Sequence, residues 1–168
     1  MDLSIDLGVG DKIVPEPVKR ILSPILPDQP HVSVLTYSFE SVIAEKFDAM
    51  IVWQALSGRT KDFWDIYSLS KKEKFDGAIL QEAIRETLSH RETPLDESVL
   101  NNALSLAADP NMQNRWRNFL EITQSAPQSF EDVMKDISLF LRPVADSIIH
   151  NRPFPYEWLP GKMWQPKQ

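Results

Sequence analysis

The sequence predicts a mainly α fold of the α+β class, with short N-terminal strands followed by about six helices. Three observations predict it. From Phe39 onward, apolar residues recur at spacings of three and four, the period of helices with one buried face. Good capping residues, among them Ser38, Thr60 and Asp109, stand just ahead of those runs. Before them the pattern changes to period-two alternation and frequent proline. Residues 1–36 therefore read as strand and proline-rich loop, and residues 37–168 as a helical domain with an irregular aromatic C-terminal tail.

The first element is a strand. In "LSIDLGVGD", Leu3, Ile5 and Leu7 alternate with Ser4 and Asp6, and Gly8 and Gly10 free the backbone to turn sharply. Prolines at 15, 17, 24, 27 and 30 mark a loop, with one helical turn expected around Val18–Leu22. "HVSVLTY" predicts a second short strand.

The helices follow. Ser38 caps the first, with Glu40 where the helix dipole favours an acid. Its inward side is Phe39, Val42, Ile43, Phe47, Met50 and Ile51, extended by Trp53 and Leu56 until Gly58 ends it. Thr60 is expected to cap a second helix over about Lys61–Lys71. A third spans about Asp76–Arg91, with Ile79, Leu80, Ala83, Ile84 and Leu88 inward. A fourth starts at Asp96. Asp109-Pro110 opens the fifth with proline at the first helical position. Ser129 opens the sixth, expected to be disturbed near Pro143. Trp158 and Trp164 are expected to fold back onto the helices, because large exposed aromatic patches are uncommon on soluble chains.

Bulk chemistry narrows the function. With 168 residues the chain can bury a real core. It has no cysteine, which removes disulfides and thiolate metal sites. Its net charge of −6 argues against a general nucleic-acid coat. A local patch would have to come from Lys71, Lys72 and Lys74, or from Arg115 and Arg117, each of which also reads as a solvated helix end. No apolar run approaches a membrane span, and the opening residues, with Asp2 and Asp6, do not look like an export signal. A cytoplasmic protein is expected.

The candidate chemistry lies in a few side chains. Asp6 shares a strand face with Asp2 and Ser4. It reads either as a solvent-facing residue or as a metal-binding carboxylate beside glycines that admit a phosphate. Lys46, among Val42, Phe47, Met50 and Trp53, either snorkels to water or leans into a cleft as a point charge for a triphosphate. Glu45 and Asp48 flank it and could simply neutralise it. Asp62 and Asp65 lie three apart, near one face of a helix. With Arg59 and Lys61 they form dense polar chemistry beside Phe63 and Trp64. Periodicity leaves open whether this is a pocket wall or the wet edge of two packed helices. His31, His90 and His150 show no metal spacing, and there is no nucleophile elbow or phosphate loop.

Three stretches carry a resemblance: "IDLGVGDKIVPEP", "YSFESVIAEKFDAMI" and "GRTKDFWDIYSL". In this order they resemble the strand with a late carboxylate, the Ala-Glu-Lys helix and the Arg-x-Lys-Asp-Phe-x-Asp helix of the AbiEii/AbiGii-type nucleotidyltransferase toxins. "FDGAILQEAIRETLSHRETPL", the Trp116–Phe119 segment and the paired tail tryptophans are similar to a subgroup of that family. The resemblance implies transfer of a nucleotide monophosphate from an NTP to an acceptor, in some relatives tRNA, with Mg2+. It implies that Asp6 is the late strand carboxylate and a metal ligand. Lys46 would face the triphosphate, Asp62 would be the acid of the helical signature and Asp65 a supporting acid, with Arg59 on the nucleotide side. The family's Gly-Ser turn and Asp-x-Asp pair have no counterpart in the sequence. Residues 1–36 then read as the remnant of a nucleotidyltransferase sheet, and the chain as the C-terminal part of such an enzyme, inactive alone. The competing expectation is a non-catalytic interaction module that binds an antitoxin, a partner chain, the missing N-terminal segment or a second copy as a homodimer. An inert remnant is a third.

Overall fold

The computed structural model describes residues 13–24, 26, 28–53, 59–124 and 128–167. The expected strand over residues 3–7, the Gly8 and Gly10 turn, Asp2, Asp6, Leu56 and the Gly58 helix end lie outside them, as does the Trp53 side chain.

Two strands, β1 (Val18–Leu22) and β2 (Val32–Thr36), pair antiparallel, with Val18 opposite Thr36. The helical turn expected at Val18–Leu22 is thus a strand. Its β-branched Val18 and Ile21 suit the pleat, and pairing to β2 outweighs a local turn that offers a single hydrogen bond. Thr36 Oγ1 ties the ladder's end by donating to the Val18 carbonyl at 3.0 Å.

The body is α1 (Phe39–Trp53), α2 (Thr60–Lys72), α3 (Gly77–His90), α4 (Glu97–Leu104), α5 (Pro110–Thr123) and α6 (Phe130–Ile149). The expected caps at Ser38 and Asp109 accept backbone N–H bonds, and so do Asp76, Asp96 and Ser129, which were expected only to begin their helices. Thr60 does not: it is the first helical residue and is buried, and Arg59 precedes it without a side-chain cap.

The core centres on α6. Val133, Met134, Ile137, Phe140, Leu141, Val144 and Ala145 are buried against residues of α2, α3, α4 and α5. Pro143 does not interrupt it. The buried stripe continues on both sides of the proline, so apolar burial offsets the one backbone bond it removes. α1 lies along α3, with Ile43, Phe47 and Met50 inside. Ile79, expected inward, is instead 39% exposed.

The tail is regular, not irregular. β4 (Tyr156–Leu159) and β5 (Met163–Pro166) form a hairpin, and β3 (Phe75–Asp76) pairs with β4, all antiparallel. Gly161, at φ +75°, makes the turn. Trp158 and Trp164 fold back as expected: Trp158 Nε1 donates to the Ser70 carbonyl at 2.6 Å and Trp164 Nε1 to that of Phe140 at 2.8 Å. The backbone passes so close to α3 that a Cβ on Gly77 would meet the Tyr156 carbonyl oxygen at 2.6 Å. Among the described residues, no helix is long and apolar enough to cross a membrane.

Candidate functional site

Packing of α1 on α2 brings Lys46, Arg59, Lys61, Asp62 and Asp65 together. On α2 the buried residues Phe63 and Ile66 point into the core. Positions 62 and 65, one turn apart on the neighbouring face, then meet α1. On α1, burial of Ile43, Phe47 and Met50 leaves position 46 at the α2 edge of the buried face.

Lys46 Nζ lies 2.9 Å from Asp62 Oδ1 and 2.7 Å from Asp65 Oδ2. The two readings of Lys46 are thereby narrowed: it does not snorkel freely but is clamped between two carboxylates. Lys61 Nζ adds a bond to Asp65 Oδ2 at 2.9 Å. Arg59 Nε approaches Asp62 Oδ2 at 2.6 Å, off the line of a hydrogen bond, so this buried oxygen has a charge partner but no hydrogen-bond donor.

Burial works against the charges of Lys46 and Asp65, and the pairing outweighs it. Desolvation pulls the Lys46 ammonium down, but hydrogen bonds and attraction from Asp65 and Asp62 raise it above the ordinary lysine value. Desolvation pushes the Asp65 carboxyl up, but Lys46 and Lys61 bring it below the ordinary aspartate value. Both therefore stay ionised around neutral pH.

Glu45 and Asp48, read in the sequence as neutralising Lys46, face the other way. Asp48 is buried and takes the Arg91 guanidinium at 2.9 Å and the Thr93 hydroxyl at 2.6 Å, and Arg91 also pairs with Glu45. Sequence reasoning missed this pairing because residues 45 and 48 meet 91 and 93 only through the α1–α3 contact. The spacing of 45 and 48 on one helix face was its one available signal.

Of the lysine run, Lys71 is engaged. Lys71 Nζ pairs with Asp136 at 2.9 Å and sits 5.5 Å from the centre of the Tyr67 ring. A hollow of about 350 Å3 between α5 and α6 is lined by residues that include Trp116, Arg117 and Gln128, and it shares no residue with the Lys46 cluster.

The cluster's chemistry favours an anion. Three cations face two carboxylates, and two of the cations, Arg59 and Lys61, are more than half exposed. Among the described residues no side chain caps the start of α2, where the Asp62 N–H bonds to the Arg59 carbonyl at 2.9 Å and the first backbone N–H groups lie beside these cations. The cavity lined by Ala49, Met50, Arg59, Asp62, Phe63 and Ile66 holds only about 10 Å3, room for about one water. Any nucleotide must lie along the outer edge of the cluster. A magnesium ion does not fit it, because Asp62 and Asp65 are already taken by cations. Among the described residues no group of three or more His, Cys, Asp or Glu could hold a metal ion.

Residues 1–136 match the family model described as nucleotidyl transferase AbiEii toxin, type IV TA system. Nothing matches among curated proteins or among solved structures.

Proposed function

The chain belongs to the AbiEii nucleotidyl transferase toxin family of type IV toxin–antitoxin systems, and on that premise we propose that the α1–α2 edge is the triphosphate-binding wall of a nucleotidyltransferase site. The observation that carries this is Lys46 held between Asp62 and Asp65. A lysine fixed in this way keeps its charge and its direction without spending side-chain entropy when a phosphate arrives. Arg59, Lys61 and the open helix start offer further contacts to the phosphates.

In this reading Lys46 draws charge off the triphosphate while an acceptor oxygen attacks the α-phosphorus and pyrophosphate leaves. Asp62 orients the ammonium, and Asp65 shares it with Lys61. The acceptor class is RNA, with the end of tRNA as the first candidate. The Asp-x-Asp carboxylates that such transfer also requires are not in these 168 residues. The chain alone is therefore expected to bind nucleotide without transferring it. Photo-crosslinking with ATP that carries an azidoanilide on its γ-phosphate tests the wall: labelled peptides should come from residues 39–53 and 59–72. Labelling confined to other segments, or magnesium-dependent transfer of label to tRNA by the chain alone, contradicts the respective part.

A second reading, the interaction module, is favoured by one observation. Ile21 and Leu35, on the same face of the β1–β2 hairpin, are 73% and 72% exposed among the described residues. Such a hairpin is marginal unless something covers it, whether an antitoxin, the N-terminal segment or a second copy. A monomer by light scattering at high concentration would remove the homodimer.

A further inference from the structure

The stretch "RETPL" that follows α3 has no part in the nucleotide site, yet it grips the helix that carries Lys46. α3 ends in a tight reversal: Glu92 N–H bonds to the Ser89 carbonyl at 3.3 Å and Thr93 N–H to that of Leu88 at 2.9 Å. This is the paired bonding of a left-handed helix stop. Glu92 occupies the left-handed position at φ +54°, where glycine is usual, so the turn is held against the backbone preference of a residue with a Cβ. The turn places Arg91 and Thr93 side by side against α1. There they take both oxygens of buried Asp48, at 2.9 and 2.6 Å, and Arg91 reaches Glu45 one helical turn back. Glu45 and Asp48 bracket Lys46 in sequence. A helix advances about 100° per residue, so Lys46 projects roughly 100° from Glu45 and roughly 160° from Asp48.

We propose that Arg91 and Thr93 are positioning residues for Lys46. By holding Glu45 and Asp48 they fix the rotation of α1 about its axis, and that rotation aims Lys46 at Asp62 and Asp65. The guanidinium reaches Asp48 and Glu45 through two different nitrogens held in one plane; a lysine at 91 offers a single nitrogen on a flexible stem and loses that fixed fork. The inference rests on the nucleotide-binding reading for its consequence but not for its geometry, and the test separates the two.

The variants are Arg91→Lys and Thr93→Val, with Ile84→Val in the buried face of α3 as a control for lost stability. Two readouts are taken well below the unfolding temperature. One is the NMR signal of the Lys46 ε-ammonium without ligand, and the other is the affinity for ATP. Arg91→Lys and Thr93→Val should each move the Lys46 signal and weaken ATP binding about three- to tenfold. Ile84→Val should leave both unchanged. A Lys46 signal that stays put in both clamp variants, or that moves as far in Ile84→Val, overturns the proposal. Should the wild-type chain bind none of the four nucleoside triphosphates, the nucleotide reading falls, and the Lys46 signal alone decides the clamp.

Discussion

Two junctions in this molecule are closed by opposite chemistry. Where α6 meets the C-terminal sheet, Phe140 stacks on Trp164 at 5.7 Å and packs edge-on to Trp158 at 4.9 Å. Both indole N–H groups find carbonyls there. Where α1 meets α2, the contact closes on Lys46, Asp62 and Asp65. The first arrangement removes large apolar surfaces from water and leaves no indole donor unpaired, so its contribution to stability is direct. The second takes charges out of water and recovers that cost only through their pairing. A fold in need of stability alone would be served as well by apolar residues at both places. On the proposed reading, the ionic junction is where stability and function part.

The largest expected effect is at the aromatic junction. Trp158→Ala should cost about 3–5 kcal/mol in urea unfolding, through lost burial, the cavity left behind and the orphaned Ser70 carbonyl. A loss under about 1 kcal/mol would mean that the tail is an appendage and not part of the core.

At the ionic junction the response should be nearly opposite. Replacing the whole triad, as Lys46→Met with Asp62→Leu and Asp65→Leu, should leave stability within about 1 kcal/mol of the parent or raise it, because the only charges that lose their partners, Arg59 and Lys61, are more than half exposed. The same variant should lose triphosphate binding. Lys46→Met alone is the sharper probe: it should be less stable than the triple variant, since it leaves two partly buried carboxylates with only Arg59 and Lys61.

A smaller effect follows from pH. The folded-state pKa of Asp65 is depressed, so its stabilising contribution is present above the unfolded value of about 3.9 and disappears as pH falls through the lowered one. That of Lys46 is raised, so its contribution is present below about 10.4 and disappears as pH rises through the raised one. Thermal unfolding should therefore be flat with respect to this junction from about pH 5 to 9 and weaken on both sides. The triple variant should lose the alkaline limb. It should keep part of the acid limb, because Asp76, held below its ordinary value against burial by Lys167 and two backbone N–H groups, belongs to the tail side.

The helical body was legible in the sequence because each helix carries its own period and its own cap. Ser38, Asp109 and Ser129 bind the N–H groups that local chemistry assigns to them. The strands were less legible. β1 depends on a partner ten residues on, and "YEWLPGKMWQP" reads as a hairpin only when its Pro-Gly pair is weighed as a turn between two aromatic strands. Of the candidate site, Lys46, Arg59, Asp62 and Asp65 were named from the sequence, and the structure brings them together. Their pairing could not be read there, since helical period fixes a face but not which helix it meets. Asp48 shows the same limit: its neighbour in sequence is Lys46, and its neighbours in space are Arg91 and Thr93.

The most direct measurement is calorimetric titration of the four nucleoside triphosphates, with magnesium, into the wild-type chain and into Lys46→Ala. The account predicts binding of at least one triphosphate by the wild type and its loss, by about tenfold or more, in the variant. Equal binding by the two proteins, or none by a well-folded wild type, would contradict it.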